Sequence, residues 1–293
     1  MSLGTVNNVM KKLREEGLAQ CDGGGALSPA GEEALAPYKV ENAIIMAAGM
    51  SSRFVPLSHE KPKGVLCVQG EALIERQIRQ LQEAGINDIT VVVGYMKETF
   101  LYLGDKFGVK IRVNEQYANR NNNSTLMLVR QQLGDTYICS SDDYFTENVF
   151  RSYVYEAYYA ASYFSGKTDE YCMKSARDGR ITGVTVGGTD AWAIMGHVYF
   201  NRAFSEAFRR VLEEDYSKLE TAPKLWEDIY IDHIKELRMI MKPYADGVVY
   251  EFAITTPSTC ARLCLSFARR TTAARNRAGT STLWARHATF VNC

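Results

Sequence analysis

The chain has 293 residues, 46% of them apolar, with 34 basic and 34 acidic side chains, enough for one large α/β domain, a small appendage and a sizeable core. No run of 18 uncharged apolar residues occurs and the N-terminus lacks the basic-then-apolar pattern of a secretory leader, so neither a membrane span nor export is expected. Seven cysteines (Cys21, Cys67, Cys139, Cys172, Cys260, Cys264, Cys293) form no CxxC pair and no Cys/His metal spacing, which reads as buried or incidental thiols in a reducing cytoplasm.

The first zone covers residues 1–38. Val6, Val9, Met10 and Leu13 stand at helical spacing in Thr5–Glu16, and Gly17 ends that helix. A Gly-rich turn follows at Asp22-Gly23-Gly24-Gly25. Ser28 then caps a second helix with Pro29 in its first turn. Helix, short hairpin, helix resembles the last half of a winged helix-turn-helix. The two preceding helices are absent, which argues against nucleic-acid binding. The alternative is a remnant that packs on the main domain or on a second chain, as in a homodimer.

Residues 41–252 form the second zone, where strand-like runs alternate with amphipathic helices. Ala43–Ala47 reads as a strand, Leu73–Ala84 as a helix stopped by Gly85, and Ile89–Val93 as the next strand. Lys97–Lys106 reads as a helix, Val109–Val113 as a strand, Ser124–Leu133 as a helix and Tyr137–Cys139 as a strand. This βαβ rhythm predicts a mainly parallel sheet covered on both faces. After Asp143 the rhythm loosens, into what reads as the substrate half of the same domain.

The third zone, residues 253–293, holds six Arg and no Lys, Asp or Glu. Subtracting those six from the 34 basic residues leaves 28 against 34 acidic ones, so the rest of the chain carries −6. That acidity gives no support to a broad nucleic-acid surface. The tail follows no period of 2 or 3.6, and reads as a shifted reading frame or a disordered basic tail.

The strongest chemical signal follows the first strand: Ala47-Ala48-Gly49-Met50-Ser51-Ser52-Arg53, with Lys61-Pro62-Lys63 shortly after. A glycine-containing loop at the carboxyl end of a first strand is where α/β sheets bind nucleotides. Small residues let backbone N–H groups approach phosphate oxygens. Arg53 offers a fork of donors to phosphate, and Lys63 a point charge where negative charge accumulates during transfer. Asp142, in Ser140-Ser141-Asp142-Asp143 just past a buried strand, faces the same sheet edge. Magnesium prefers one or two carboxylates plus phosphate oxygens and water, which makes Asp142 the leading metal ligand and Asp143 a supporting residue.

The pattern AAGxxSRFxPL…PK resembles the signature of the nucleotidyltransferases that make nucleotide-activated sugars and alcohols. Later stretches match as well: Gly85-Ile86-Asn87-Asp88-Ile89, Val93-Gly94-Tyr95, Asn114–Ala118, Asn121-Asn122 and Asp142-Asp143-Tyr144. Together they look most like the bacterial choline-phosphate cytidylyltransferases, over residues 42–252. The resemblance implies a Rossmann-like, mainly parallel α/β sheet of the nucleotide-diphospho-sugar transferase type, with a small β-rich substrate lobe. It implies that Ala47, Ala48, Gly49 and Ser52 meet the nucleotide, that Arg53 and Lys63 hold its phosphates, and that Asp142 and Glu251 bind Mg²⁺. A second acid expected two residues after Glu251 is replaced by Ala253.

The expected reaction is Mg²⁺-dependent transfer of a nucleotide from an NTP, with CTP foremost, to a small phosphorylated acceptor, with phosphocholine foremost. A quaternary ammonium is held by aromatic faces and a nearby carboxylate. The candidates are Tyr171 (after Asp169-Glu170), Trp192 and Tyr199, with Asn122 positioning substrate. His59, His197, His233 and His287 form no cluster in the sequence. Two rivals remain: the same transfer to a sugar 1-phosphate or aminoethylphosphonate, and a transcription regulator that only senses a nucleotide.

Overall fold

A computed structural model describes residues 2–20, 26–51 and 57–251. Helix α1 (Leu3–Glu15) starts where Ser2 accepts a hydrogen bond from the Thr5 amide at 3.2 Å, and it has no buried residue. A single antiparallel bridge, Ala19 to Leu27, leads to α2 (Pro29–Leu35), capped by Ser28 at the Gly31 amide. The appendage joins the body where Lys39 bridges to Tyr153 and the Val40 amide donates to the Ser152 carbonyl.

Strand β1 (Asn42–Ala47) is the centre of the body. After the short hairpin β2 (Cys67–Val68) and β3 (Glu71–Ala72) comes α3 (Leu73–Glu83), which feeds β4 (Ile89–Val93). The helix expected at 97–106 is split, with a left-handed Met96 just before it. The result is one 3-10 turn at Lys97–Phe100 followed by α4 (Tyr102–Phe107). Strand β5 (Lys110–Val113) and α5 (Asn123–Val129) follow, and the last residues of the expected 124–133 helix tighten into a 3-10 turn. Strand β6 (Thr136–Ser140) completes the parallel set. Ala47 pairs with Val93 and Met46 with Ser140, so β1, β4 and β6 end together at one edge.

The loosened rhythm after Asp143 has a simple cause, because the chain builds a long ribbon there. Strand β7 (Asp143–Phe145) is short, but β8 (Tyr158–Ser175) and β9 (Ile181–Phe200) pair antiparallel along most of their length. This ribbon is the β-rich part of the substrate half, and its far end returns to the body, where the Ile181 amide donates to the Met239 carbonyl and Arg180 bridges to Ile240. Helices α6 (Arg202–Tyr216) and α7 (Trp226–Asp232), then β10 (Ile240–Pro243) and β11 (Val249–Glu251), close the fold. The seven-stranded order is β10-β8-β9-β6-β1-β4-β5, with β9 antiparallel to both neighbours and the other pairings parallel. Alternate residues feed two cores. Ile45, Ile74, Leu81, Phe100 and Tyr137 pack on one face, and Ile44, Val92, Leu126, Phe208 and Trp226 on the other. Strands buried on both faces explain their near-continuous apolar sequences. No helix among the described residues is long and apolar enough to cross a membrane.

Candidate active site

The loop after β1 begins with buried Ala47 and Ala48 and opens at exposed Gly49. A side chain at Gly49 would meet nothing among the described residues, so the space above it is open. Across from it, the Tyr95 amide donates to the Ala48 carbonyl at 3.2 Å. Gly94 makes this approach feasible, because a Cβ there would lie 2.8 Å from the Ala48 oxygen and 2.9 Å from the Tyr117 ring. Ser52 and Arg53 lie outside the described residues, as do Ala253 and the tail.

Lys63 and Asp142 come from loops 79 residues apart and meet at 2.9 Å, Nζ to Oδ2, with both side chains mostly buried. Two contacts set this geometry. A Cβ on Gly64 would lie 2.9 Å from Ser141 Cβ, so only glycine lets the Lys63 loop lie flat on the Asp142 loop. From α3, Gln77 Nε2 donates to both the Ser140 and Asp143 carbonyls at 2.8 Å, clamping the turn that carries Asp142. The Ser141 amide completes the clamp by donating to the Met46 carbonyl. Lys63, Asp142 and the Ala47–Gly49 backbone therefore share the carboxyl edge of the sheet.

Asp143 pairs across the β7–β11 ladder with Glu251. It is fully buried, and neither carboxylate oxygen has a hydrogen-bond partner. Burial, then the charges of Glu251 and Asp142, hold its carboxyl well above the usual range. A buried carboxylate without partners beside two other acids is the signature of a missing positive charge. Asp142 and Glu251 are hard oxygen donors that could ligate Mg²⁺, with Asp143 beside them. Among the described residues no group of three or more His, Cys, Asp or Glu is arranged to hold a metal ion by itself. The remaining ligands of such an ion would come from phosphate and water, as magnesium sites commonly arrange.

A second cluster lies beside this edge. Asn122 Nδ2 donates to Glu227 Oε2 at 3.0 Å, and its Oδ1 accepts from the Trp226 amide at 2.7 Å. Tyr159 donates to the other oxygen, Glu227 Oε1, at 3.2 Å, and its ring stacks on Trp226 with centroids 5.6 Å apart and planes within 5°. Tyr171 donates to Asp228 at 2.9 Å, and the Leu225 amide fixes the other Asp228 oxygen. Burial pushes the Glu227 carboxyl up to about 7 against the hydrogen bonds from Asn122 and Tyr159. Burial likewise raises Tyr159, followed by the charge of Glu227 and the hydrogen bond to it, and then the charges of Glu251 and Asp143. Trp192 packs on the same core face as Trp226, edge-on to Tyr163 at 5.4 Å.

Tyr199 corrects the sequence reading. It is fully buried in the opposite core, and its hydroxyl donates to Asp135 at 3.2 Å. It pairs with Tyr137 near the start of β6, the far edge from Asp142. Its neighbour Val198 faces the Trp226 side instead, so Tyr199 is a core residue. The structure thus brings together Ala47, Ala48, Gly49, Lys63 and Asp142 on one edge, with Glu251 reached through Asp143. Asn122 and Tyr171 bond to α7, while Trp192 lies on the same core face and packs on Tyr163.

A family model for the MobA-like NTP transferase domain matches residues 43–160. The choline-phosphate cytidylyltransferase of Streptococcus pneumoniae is 32% identical over 209 residues, covering 71% of this chain and 91% of that relative. The chain belongs to the cytidylyltransferase family. The 2-aminoethylphosphonate cytidylyltransferase of Lancefieldella rimae is 34% identical, covering 69% of this chain and 84% of that relative. A solved structure of the Streptococcus pneumoniae CTP:phosphocholine cytidylyltransferase superposes with a TM-score of 0.74 at 31% identity, covering 77% of this chain and 98% of that one. A putative glucose-1-phosphate thymidylyltransferase from Bacillus anthracis shares the fold, with a TM-score of 0.62 at 18% identity.

As a cytidylyltransferase, the chain carries site candidates that its sequence pattern did not single out: Tyr159, Trp226, Glu227 and Asp228. The available signal was the triplet Trp226-Glu227-Asp228, an aromatic followed by two acids soon after Pro223. It reads equally well as the start of an ordinary amphipathic helix, with acids favoured in the first turn.

Proposed function

We propose that this cytidylyltransferase transfers CMP from CTP to phosphocholine, giving CDP-choline and pyrophosphate. The observation that carries the reading is the side-chain cluster around Glu227. It sets two acids and the partly exposed Tyr171 beside the edge that holds Lys63 and Asp142, with the Tyr159–Trp226 stack buried in the core behind them. An aromatic ring with two acids suits a cation that presents methyl groups rather than N–H donors. Each oxygen of Glu227 and Asp228 already accepts a hydrogen bond from the protein. The carboxylates therefore offer charge more than free lone pairs, which favours a quaternary ammonium over a primary one.

In this reading the acceptor phosphate, ionised near neutral pH, attacks the α-phosphorus in line, and no protein base is required. Lys63 neutralises the charge that builds on the phosphates, and the backbone at Ala47–Gly49 seats the nucleotide. Asp142 and Glu251 would hold Mg²⁺, which supplies charge neutralisation between the phosphates. Fixed placement of the two substrates on one edge contributes the rest. The fold and the relatives support nucleotidyl transfer as such. Base choice is tested by calorimetry with CTP, UTP, ATP and GTP in the presence of Mg²⁺. CTP is expected to bind at least tenfold tighter than the others, and equal affinities would sink the cytidylyl assignment.

A further inference from the structure

Away from the active edge, on the outermost strand β10, Lys242 lies half-buried. Its Nζ sits 4.2 Å from the ring centroid of Tyr158 and 5.5 Å from that of Tyr244. The other titratable groups around it are buried His197, which Tyr158 and Tyr244 contact at 3.0 and 3.4 Å, and Arg151. Lys242 has no acidic partner within ion-pair distance among the described residues, and the charge that bears on it is a second cation, Arg151. Arg151 is itself satisfied by backbone, donating to the Asn148 and Phe150 carbonyls. Other lysines pair with acids, as Lys63 does with Asp142, Lys106 with Glu75, Lys110 with Asp88 and Lys224 with Asp232.

We propose that Lys242 is a modification site, a reactive amine that accepts the acyl group of a small acyl phosphate. Burial and the Arg151 charge oppose the Lys242 ammonium and the two rings favour it, and the amide removes both the desolvation cost and the repulsion. The aromatic walls suit a short acyl chain. In the step, the unprotonated nitrogen attacks the carbonyl carbon and a C–N bond forms. The bond from that carbon to the phosphate oxygen breaks, inorganic phosphate leaves with the electron pair, and the amine proton passes to water. Availability of the free amine supports the assignment. Burial first, and then Arg151, bring the Lys242 amine down to about 8. At pH 7.5 this leaves roughly two-hundredfold more unprotonated amine than on an ordinary exposed lysine.

The test is a mass-spectrometric time course on the full chain with limiting acetyl phosphate, following Lys242 against the exposed Lys11 and Lys12. Lys242 is expected to acylate at least about tenfold faster at pH 7.5, with a rate that levels off above pH 8. A Lys242 rate at or below that of Lys11 would overturn the proposal. So would a rate that keeps climbing tenfold per pH unit through pH 9. A preference that survives denaturation would also overturn it, because the folded surroundings would then have no part in the reactivity.

Discussion

The two sides of the candidate site are built by different means. On the nucleotide side, loops leaving adjacent parallel strands converge because β1, β4 and β6 end in register. Backbone packing fixes them, through Gly64 on Ser141 and Gly94 on Ala48. On the acceptor side, residues from the loop before α5, from β8 and from α7 are tied together by side-chain hydrogen bonds to Glu227 and Asp228. One side is held by topology and would present charge to a reacting centre, whereas the other is held by a polar network and, in the proposed reading, would meet the acceptor's head group. Changes on the first side should act on turnover, and changes on the second on acceptor binding.

The largest expected effect is on the nucleotide side. Asp142→Ala removes both the leading metal ligand and the partner of Lys63, and turnover should fall about a thousandfold or more with the fold intact. Lys63→Ala should cost about a hundredfold in turnover with little change in acceptor KM. Steady-state kinetics with each substrate varied checks both, and near-normal turnover in either variant would remove that residue from the chemistry.

On the acceptor side the effect is smaller and of a different kind. Trp192→Leu or Glu227→Gln should raise the KM for the acceptor by roughly tenfold to thirtyfold, the range of a desolvated contact to a cation. The KM for CTP should stay within about twofold. If the KM for CTP rises equally, the pocket is not an acceptor pocket and the contrast between the sides fails.

Smaller still is the pH effect of Glu227. Its carboxyl is raised from 4.5 to about 7 in the folded chain. Between those values the folded state holds a proton that the unfolded state has lost, so this group makes stability fall as pH rises. Thermal midpoints should therefore fall less between pH 5 and pH 7.5 in Glu227→Gln than in the parent chain. An identical pH slope in the two proteins would show that Glu227 titrates normally. Tyr199→Phe sets the lower limit, with a loss of about 1 kcal/mol of stability from one buried hydrogen bond and unchanged KM values. A raised acceptor KM in that variant would return Tyr199 to the pocket.

The same contrast explains what could be read from sequence. On the nucleotide side, motif and position sufficed to place Ala47–Gly49, Lys63 and Asp142 at one sheet edge. The pairing of Lys63 with Asp142 also needs the close seat of Gly64 on Ser141 and the Gln77 clamp, which the sequence does not announce. The acceptor side joins residues at 122, 159, 171 and 226–228, and no local pattern announces such a meeting. Tyr199 shows why. Successive residues of a strand face opposite sides, so one position decides between pocket and core, and an aromatic side chain suits either. The helix expected at 97–106 divides into a 3-10 turn and α4, a split that side-chain periodicity does not reveal.

The most direct test of the account is a pyrophosphate-release assay with CTP and Mg²⁺ across phosphocholine, ethanolamine phosphate, 2-aminoethylphosphonate and glucose 1-phosphate. With an aromatic ring and hydrogen-bonded carboxylates, kcat/KM for phosphocholine should exceed that for each of the others by about a hundredfold, or close to 3 kcal/mol. Comparable values for phosphocholine and a primary amine or a sugar phosphate would contradict it.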